Sequence, residues 1–145
     1  MLSTYFRPSR VICEILQQNG WQAVPLDVLP DDLKAIRDQL AAWTEAANCD
    51  ATFTTGGTGL SPRDVTPEAT RQVIEGEVIG LAEVMRAEGI QKNRRAGPFR
   101  ATSGVRNGKL IVNVPGSARG ASESLESILD LLPHAIDIVQ GRTQH

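Results

Sequence analysis

The sequence predicts a three-layer α/β domain, a mostly parallel sheet with helices on both faces. Three observations lead there. Apolar positions at helical spacing alternate along the chain with short apolar strands. A segment rich in glycine and hydroxyl groups, Thr54 to Thr70, leaves one of those strands and enters a helix. A second strand, Lys109 to Val114, is an apolar run interrupted by Asn113, and it exits into Pro115-Gly116-Ser117. Helices between strands favour parallel pairing, with both sheet faces covered.

Taken in order, Val11, Ile12, Ile15 and Leu16 form the apolar face of a first helix, which Gly20 terminates. A short strand is expected within Trp21 to Val28, limited by Pro25. Asp31 and Asp32 open a second helix with Leu33, Ile36, Leu40 and Trp43 on one face; Trp43 and Trp21 are expected in the core. Ala51 to Thr54 is the next strand. Thr66-Pro67-Glu68 starts a helix with Thr as cap, Pro at the first position and Glu near the positive end of the dipole. That helix is expected to reach Glu77. Another spans Leu81 to Glu88 and stops at Gly89, and a last long helix covers Ser122 to Leu132.

The loops after Thr54 and Val114 both leave carboxyl ends of strands, so they belong on one rim of the sheet. Ligands of open α/β sheets bind on that rim.

Composition narrows the function. With 15 Lys+Arg against 17 Asp+Glu and a formal net charge of -2, the chain lacks the bulk positive charge of a nucleic-acid binder. The basic cluster Lys92 to Arg95, with Arg100 and Arg106 beyond, is either a solvated loop or a contact to an anion or partner. Cys13 and Cys49 are too few for a disulfide framework and lack metal-ligand spacing. No apolar run approaches the length of a membrane span, so no membrane role and a cytoplasmic location are expected.

The glycine segment carries the chemistry. Gly56, Gly57 and Gly59 let backbone N–H groups approach an anion without an intervening Cβ. The hydroxyls of Thr54, Thr55, Thr58 and Ser61 add neutral donors, and the following helix N-terminus adds partial positive charge. Neither a Walker A loop nor a G-x-G-x-x-G dinucleotide turn is present. Asp64, and Asp31 with Asp32, have local roles available as turn and helix-start residues. Together they put carboxylates on the rim beside a phosphate cradle, a donor set that suits Mg²⁺ with phosphate oxygens.

The run Thr54-Thr55-Gly56-Gly57-Thr58-Gly59-Leu60-Ser61-Pro62-Arg63-Asp64-Val65-Thr66-Pro67-Glu68-Ala69-Thr70 resembles the signature of the MoaB/Mog family, the molybdopterin-binding adenylyltransferases of molybdenum cofactor synthesis. Leu110-Ile111-Val112-Asn113-Val114-Pro115-Gly116-Ser117 resembles the family's second motif, and Leu132-Pro133-His134-Ala135 a C-terminal one. The resemblance implies that ATP with Mg²⁺ activates molybdopterin, giving adenylyl-molybdopterin and pyrophosphate. It places the family's two essential aspartates on Asp31 and Asp64, as catalytic and metal-holding groups. It further implies a phosphate cradle of Gly56, Gly57, Thr58 and Gly59, lined by Thr55 and Ser61, with Pro115, Gly116 and Ser117 as the opposite lip. A homotrimer and a partnership with the molybdate-inserting enzyme of the pathway are also implied.

Two departures from that pattern are expected. The family's first, internal strand is missing, so residues 1–145 read as one molybdopterin-binding domain truncated at its N-terminus, with Met1 to Arg10 inside a loop. Such a loss would remove burial worth about 1.5–3 kcal/mol per side chain. Phe99-Arg100 stands where a Ser-Arg pair facing the pterin is usual, leaving Arg100 to meet a phosphate. An incomplete sheet raises an alternative: a non-catalytic member that binds molybdopterin or forms an oligomer.

Overall fold

The computed structural model describes residues 2–5, 9–25, 28–46 and 48–142. Six strands form one sheet: β1 (Leu2–Tyr5), β2 (Ala23–Pro25), β3 (Ala51–Thr55), β4 (Gly76–Glu77), β5 (Ser103–Arg106) and β6 (Lys109–Val114). Their spatial order is β2-β1-β3-β6-β5-β4. The first four strands of that order run parallel, whereas β5 is antiparallel to β6 and β4 to β5. The sheet is therefore mixed. Its helices are α1 (Ser9–Gln18), α2 (Leu33–Glu45), α3 (Thr66–Val73), α4 (Ile79–Lys92), α5 (Ala118–Ile128) and α6 (Leu132–Val139).

Period-two alternation on the central strands creates two cores. Ala51 and Phe53 of β3, with Leu110, Val112 and Val114 of β6, pack against Ile12, Leu16, Met85, Leu125, Ile128 and Leu132 of the helices α1, α4, α5 and α6. Ile111, on the other face of β6, meets Ile36, Leu40, Ala69 and Val73 of α2 and α3. The three layers follow directly. Trp21 and Trp43 are only partly buried, one packed against each core.

The expected absence of a first strand is corrected. Leu2–Tyr5 forms β1, paired in parallel with β2 on one side and β3 on the other. Leu2-Ser3-Thr4-Tyr5 is no apolar run, and its place in the sheet is fixed by non-local pairing.

Other boundaries also move. Thr66 is the first residue of α3 rather than its cap; Val65 occupies the cap position and no side chain caps it. Ile74 turns extended (φ -71°, ψ 144°), ending α3 before Glu77, which pairs in β4. Gly89 lies inside α4, where a Cβ would come within 3.3 Å of Ala96 Cβ; it permits close packing of the 3-10 turn Arg94–Ala96. Strand β5 was unanticipated, although Asn107-Gly108, both at positive φ (52° and 75°), is a strong signal for a two-residue hairpin turn. Finally, Ser117 caps α5, so the helix begins at Ala118, and a separate α6 follows.

Candidate functional site

Parallel pairing of Thr55 with Val114 brings the exits of β3 and β6 side by side. The Gly56 N–H donates to Val114 O at 3.2 Å, and a Cβ on Gly116 would lie 3.1 Å from Gly56 Cα. The two loops thus touch backbone to backbone; glycine at 116 allows the approach, and Gly56 takes a left-handed φ of +93° at the strand exit. Beneath them, Asn113 Nδ2 donates to Thr54 Oγ1 (2.8 Å) and Thr70 Oγ1 (3.0 Å), tying β6, β3 and α3 together in a buried network. Asn113, read in the sequence as an interruption, is the crosslink under the site.

Between the loops lies a cleft of about 370 Å³. Thr58 and Gly59 form one side, and Pro115, Gly116 and Ser117 the other. Asn93, Arg95, Ala96, Pro98 and Phe99 close it from the end of α4, while Arg119, Gly120 and Glu123 contribute the first turns of α5. Ser117 Oγ accepts from Gly120 N at 3.0 Å, so the positive end of an 11-residue helix opens into the cleft. Of the basic cluster, Asn93 and Arg95 reach the cleft wall. Sequence reasoning missed Arg119 and Glu123, whose i,i+4 spacing on a capped helix was the available signal.

The glycine loop has its own internal logic. Gly57 lies at φ +66°, and a Cβ there would come 2.2 Å from Thr66 Oγ1; Thr66 N donates to Gly57 O at 3.1 Å. The residue is glycine because the start of α3 presses on it. Asp64 Oδ2 accepts from Ser61 N at 3.0 Å, and a Cβ on Gly59 would stand 2.9 Å from the same oxygen. Asp64 is therefore both a turn residue and a rim carboxylate.

The aspartate pair before α2 divides its labour. Asp32 is the N-cap, accepting from Ala35 N at 2.8 Å. Asp31 is left to face the glycine loop, with Oδ2 3.4 Å from Arg63 Nη2. Arg63 is 82% exposed, so this pair is weak and readily exchanged. Thr55 is fully buried in β3, and Thr55, Gly56, Gly57, Ser61, Asp31 and Asp64 do not line the cleft itself. They lie along the β3 exit and the rim beside it.

Among the described residues no three His, Cys, Asp or Glu side chains cluster as a metal site. Two hard carboxylates on an open rim fit a cation that keeps most of its ligands as water and phosphate, as Mg²⁺ does.

Arg100 corrects a further expectation. Its guanidinium does not face the cleft. Nε donates to Gly59 O (2.8 Å), Nη2 to Asp64 O (2.7 Å) and Nη1 to Glu68 Oε1, while its own N–H donates to Thr58 O (2.9 Å). Arg100 is a clasp that holds the glycine loop in shape. Burial alone would raise the Glu68 pKa, but the Arg100 hydrogen bond, a backbone hydrogen bond and the charges of Arg100 and Arg71 together outweigh it and hold the carboxyl below its ordinary value.

Comparison with known proteins now decides the family. The profile of the "Probable molybdopterin binding domain" matches residues 7–134. The chain belongs to this family. It is 34% identical to a molybdopterin adenylyltransferase of Helicobacter pylori, over 97% of this chain and 86% of that protein. It is also 38% identical to the molybdenum cofactor synthesis protein cinnamon of Drosophila melanogaster, over 78% of this chain but only 19% of that longer protein. Among solved structures, MoaB of Thermus thermophilus superposes with a TM-score of 0.87 at 39% identity, covering 97% of this chain and 94% of that one. The Mog protein of Mycobacterium ulcerans gives 0.85 at 31% identity, with 95% and 96% covered. Like these solved structures, the chain is an α/β sandwich. No helix among its described residues is long and apolar enough to cross a membrane.

Proposed function

We propose that this domain is a molybdopterin adenylyltransferase of molybdenum cofactor biosynthesis. One observation carries the reading: two phosphate-suited loops from adjacent parallel strands meet at a cleft, with a helix N-terminus on one side and Asp31 and Asp64 on the rim. Relatives named for this activity, at 31–34% identity, support it.

The terminal phosphate of molybdopterin attacks the α-phosphorus of ATP; a new P–O–P bond forms and pyrophosphate departs with the electron pair of the broken bond. Such transfers ask a protein chiefly for alignment and charge neutralisation. Thr58, Gly59, Gly116 and Ser117 hold the pterin phosphate, because their loops and α5 present backbone N–H groups to it. Asp31 and Asp64 hold Mg²⁺, which supplies charge neutralisation on the triphosphate. Arg63 lies beside Asp31 and is free to exchange that weak pair for nucleotide phosphate. Phe99, Pro98 and Pro115 give the cleft an apolar wall suited to a flat ring.

The non-catalytic alternative drew on an incomplete sheet, and β1 now occupies the place in question. A homotrimer, a cytoplasmic location and delivery to the molybdate-inserting enzyme belong to the same proposal. Asp64→Asn tests it. The amide oxygen still accepts from Ser61 N, preserving the turn, but the charge is gone. Pyrophosphate release should be abolished while pterin binding persists; release at the parent rate would refute the assignment.

A further inference from the structure

We propose that Glu123 recognises the amino-imide edge of the pterin ring and thereby sets which heterocycle the cleft accepts. The inference rests on the reading that the cleft takes molybdopterin, and goes beyond it by assigning the head-group anchor.

Glu123 is the one carboxylate among the described residues lining the cleft. In a site built for a phosphate-bearing ligand, a negative charge works against binding unless it meets a donor. Its present partner is Arg119, one turn earlier, at 3.0 Å. Arg119 is 84% exposed, whereas Glu123 is only 23% exposed. Exposed i,i+4 pairs contribute little, so a ligand displaces Arg119 at small cost.

Position adds a second argument. Ser117 caps α5 and Glu123 lies six residues on, about 9 Å along the axis at 1.5 Å per residue. Gly120, between them, is one turn from Glu123 and shares its face of the helix. A Cβ on Gly120 would crowd Ser117 Oγ (2.8 Å) and Pro115 Cβ (3.0 Å), so that face is kept low between the two polar ends. An anionic tail at the helix N-terminus therefore leaves a head group near Glu123, with Phe99 and Pro98 flanking it.

The chemistry matches. A 2-amino-4-oxopteridine presents its N3–H and 2-amino N–H as two parallel donors, and a carboxylate returns two parallel acceptors. A lumazine, with a carbonyl at position 2, sets a lone pair against that carboxylate. Sites that hydrogen-bond a substrate edge reject analogues lacking it, because buried polar groups are then left unpaired.

The test is a fluorescence titration with pterin-6-carboxylate and lumazine-6-carboxylate. The parent protein should bind the pterin at least about tenfold tighter, a partly solvated version of that discrimination. Glu123→Gln offers one acceptor and one donor, which suits the N3–H and C2=O of lumazine, so the preference should vanish or invert. A purely structural role would not invert it. Arg119→Ala should leave the preference intact, and ATP binding should be unchanged in both variants. A parent that binds both rings equally, or a Glu123→Gln variant that still prefers the pterin, overturns the role of Glu123 alone. A parent that binds neither ring overturns the pterin-site reading with it.

Discussion

Replacing Arg100 by Met keeps most of the side-chain stem and removes the clasp on the glycine loop. Three side-chain hydrogen bonds are lost, to Gly59 O, Asp64 O and Glu68 Oε1. A typical intramolecular hydrogen bond contributes about 0.5–1.5 kcal/mol net, and one between charged groups about 1.5–3 kcal/mol. The Glu68 side chain is 39% exposed, so the charged bond counts at the lower end. The two carbonyls belong to a loop that can rehydrate when released. The expected loss is thus about 2–3 kcal/mol, read as a lower urea midpoint with an unchanged m-value. Arg100→Lys should recover less than half, because one ammonium cannot reproduce the fork that spans three acceptors. The loop that positions Thr58 and Gly59 loosens at the same time, so pterin affinity should fall along with stability. An Arg100→Met protein within about 0.5 kcal/mol of the parent, the usual range for inconsequential surface changes, and with parental pterin affinity would refute the clasp.

Gly57→Val combines a left-handed backbone with a Cβ 2.2 Å from Thr66 Oγ1. It should cost about 2–5 kcal/mol in chemical denaturation, from about 1–2 for the backbone and 1–3 for overpacking. Asn113→Leu strands the hydroxyls of Thr54 and Thr70 beneath the site. A loss of about 2–4 kcal/mol is expected, and Thr54→Val in the same background should recover part of it, since removing both partners is cheaper than removing one. Glu68 has a folded-state pKa below its ordinary value, so its contribution is fully present above about pH 4.5 and is lost as pH falls through the folded-state value. Glu68→Gln should flatten the acid limb of the stability profile below that pH, measured by urea unfolding from pH 3 to about 6.

Local patterns carried much of the architecture. The run from Thr54 to Thr70, the apolar strand into Pro115-Gly116-Ser117 and the paired aspartates before α2 are contiguous signals, and all lie at or beside the rim. What escaped was non-local. The Arg100 donors end on residues 32 to 41 positions away, so its role as a clasp is invisible in Phe99-Arg100 itself. The strand β1 holds its place through pairing with β2 and β3, although four residues with three hydroxyls carry almost no signal of their own. Asp31 and Asp32 look alike in the chain; only the start of α2 at Leu33 decides that Asp32 caps and Asp31 remains on the rim. The β5–β6 hairpin is legible in Asn107-Gly108, a local turn signal set among basic residues. The cleft wall from Asn93 to Phe99 required the packing of α4 against α5, which no local pattern encodes.

The most direct test of the central claim is pyrophosphate release from ATP with Mg²⁺, with and without purified molybdopterin. Release that requires the pterin and disappears in Asp64→Asn is the expected result. A folded protein that releases no pyrophosphate in the presence of molybdopterin, or releases it equally without, would contradict the assignment as an adenylyltransferase.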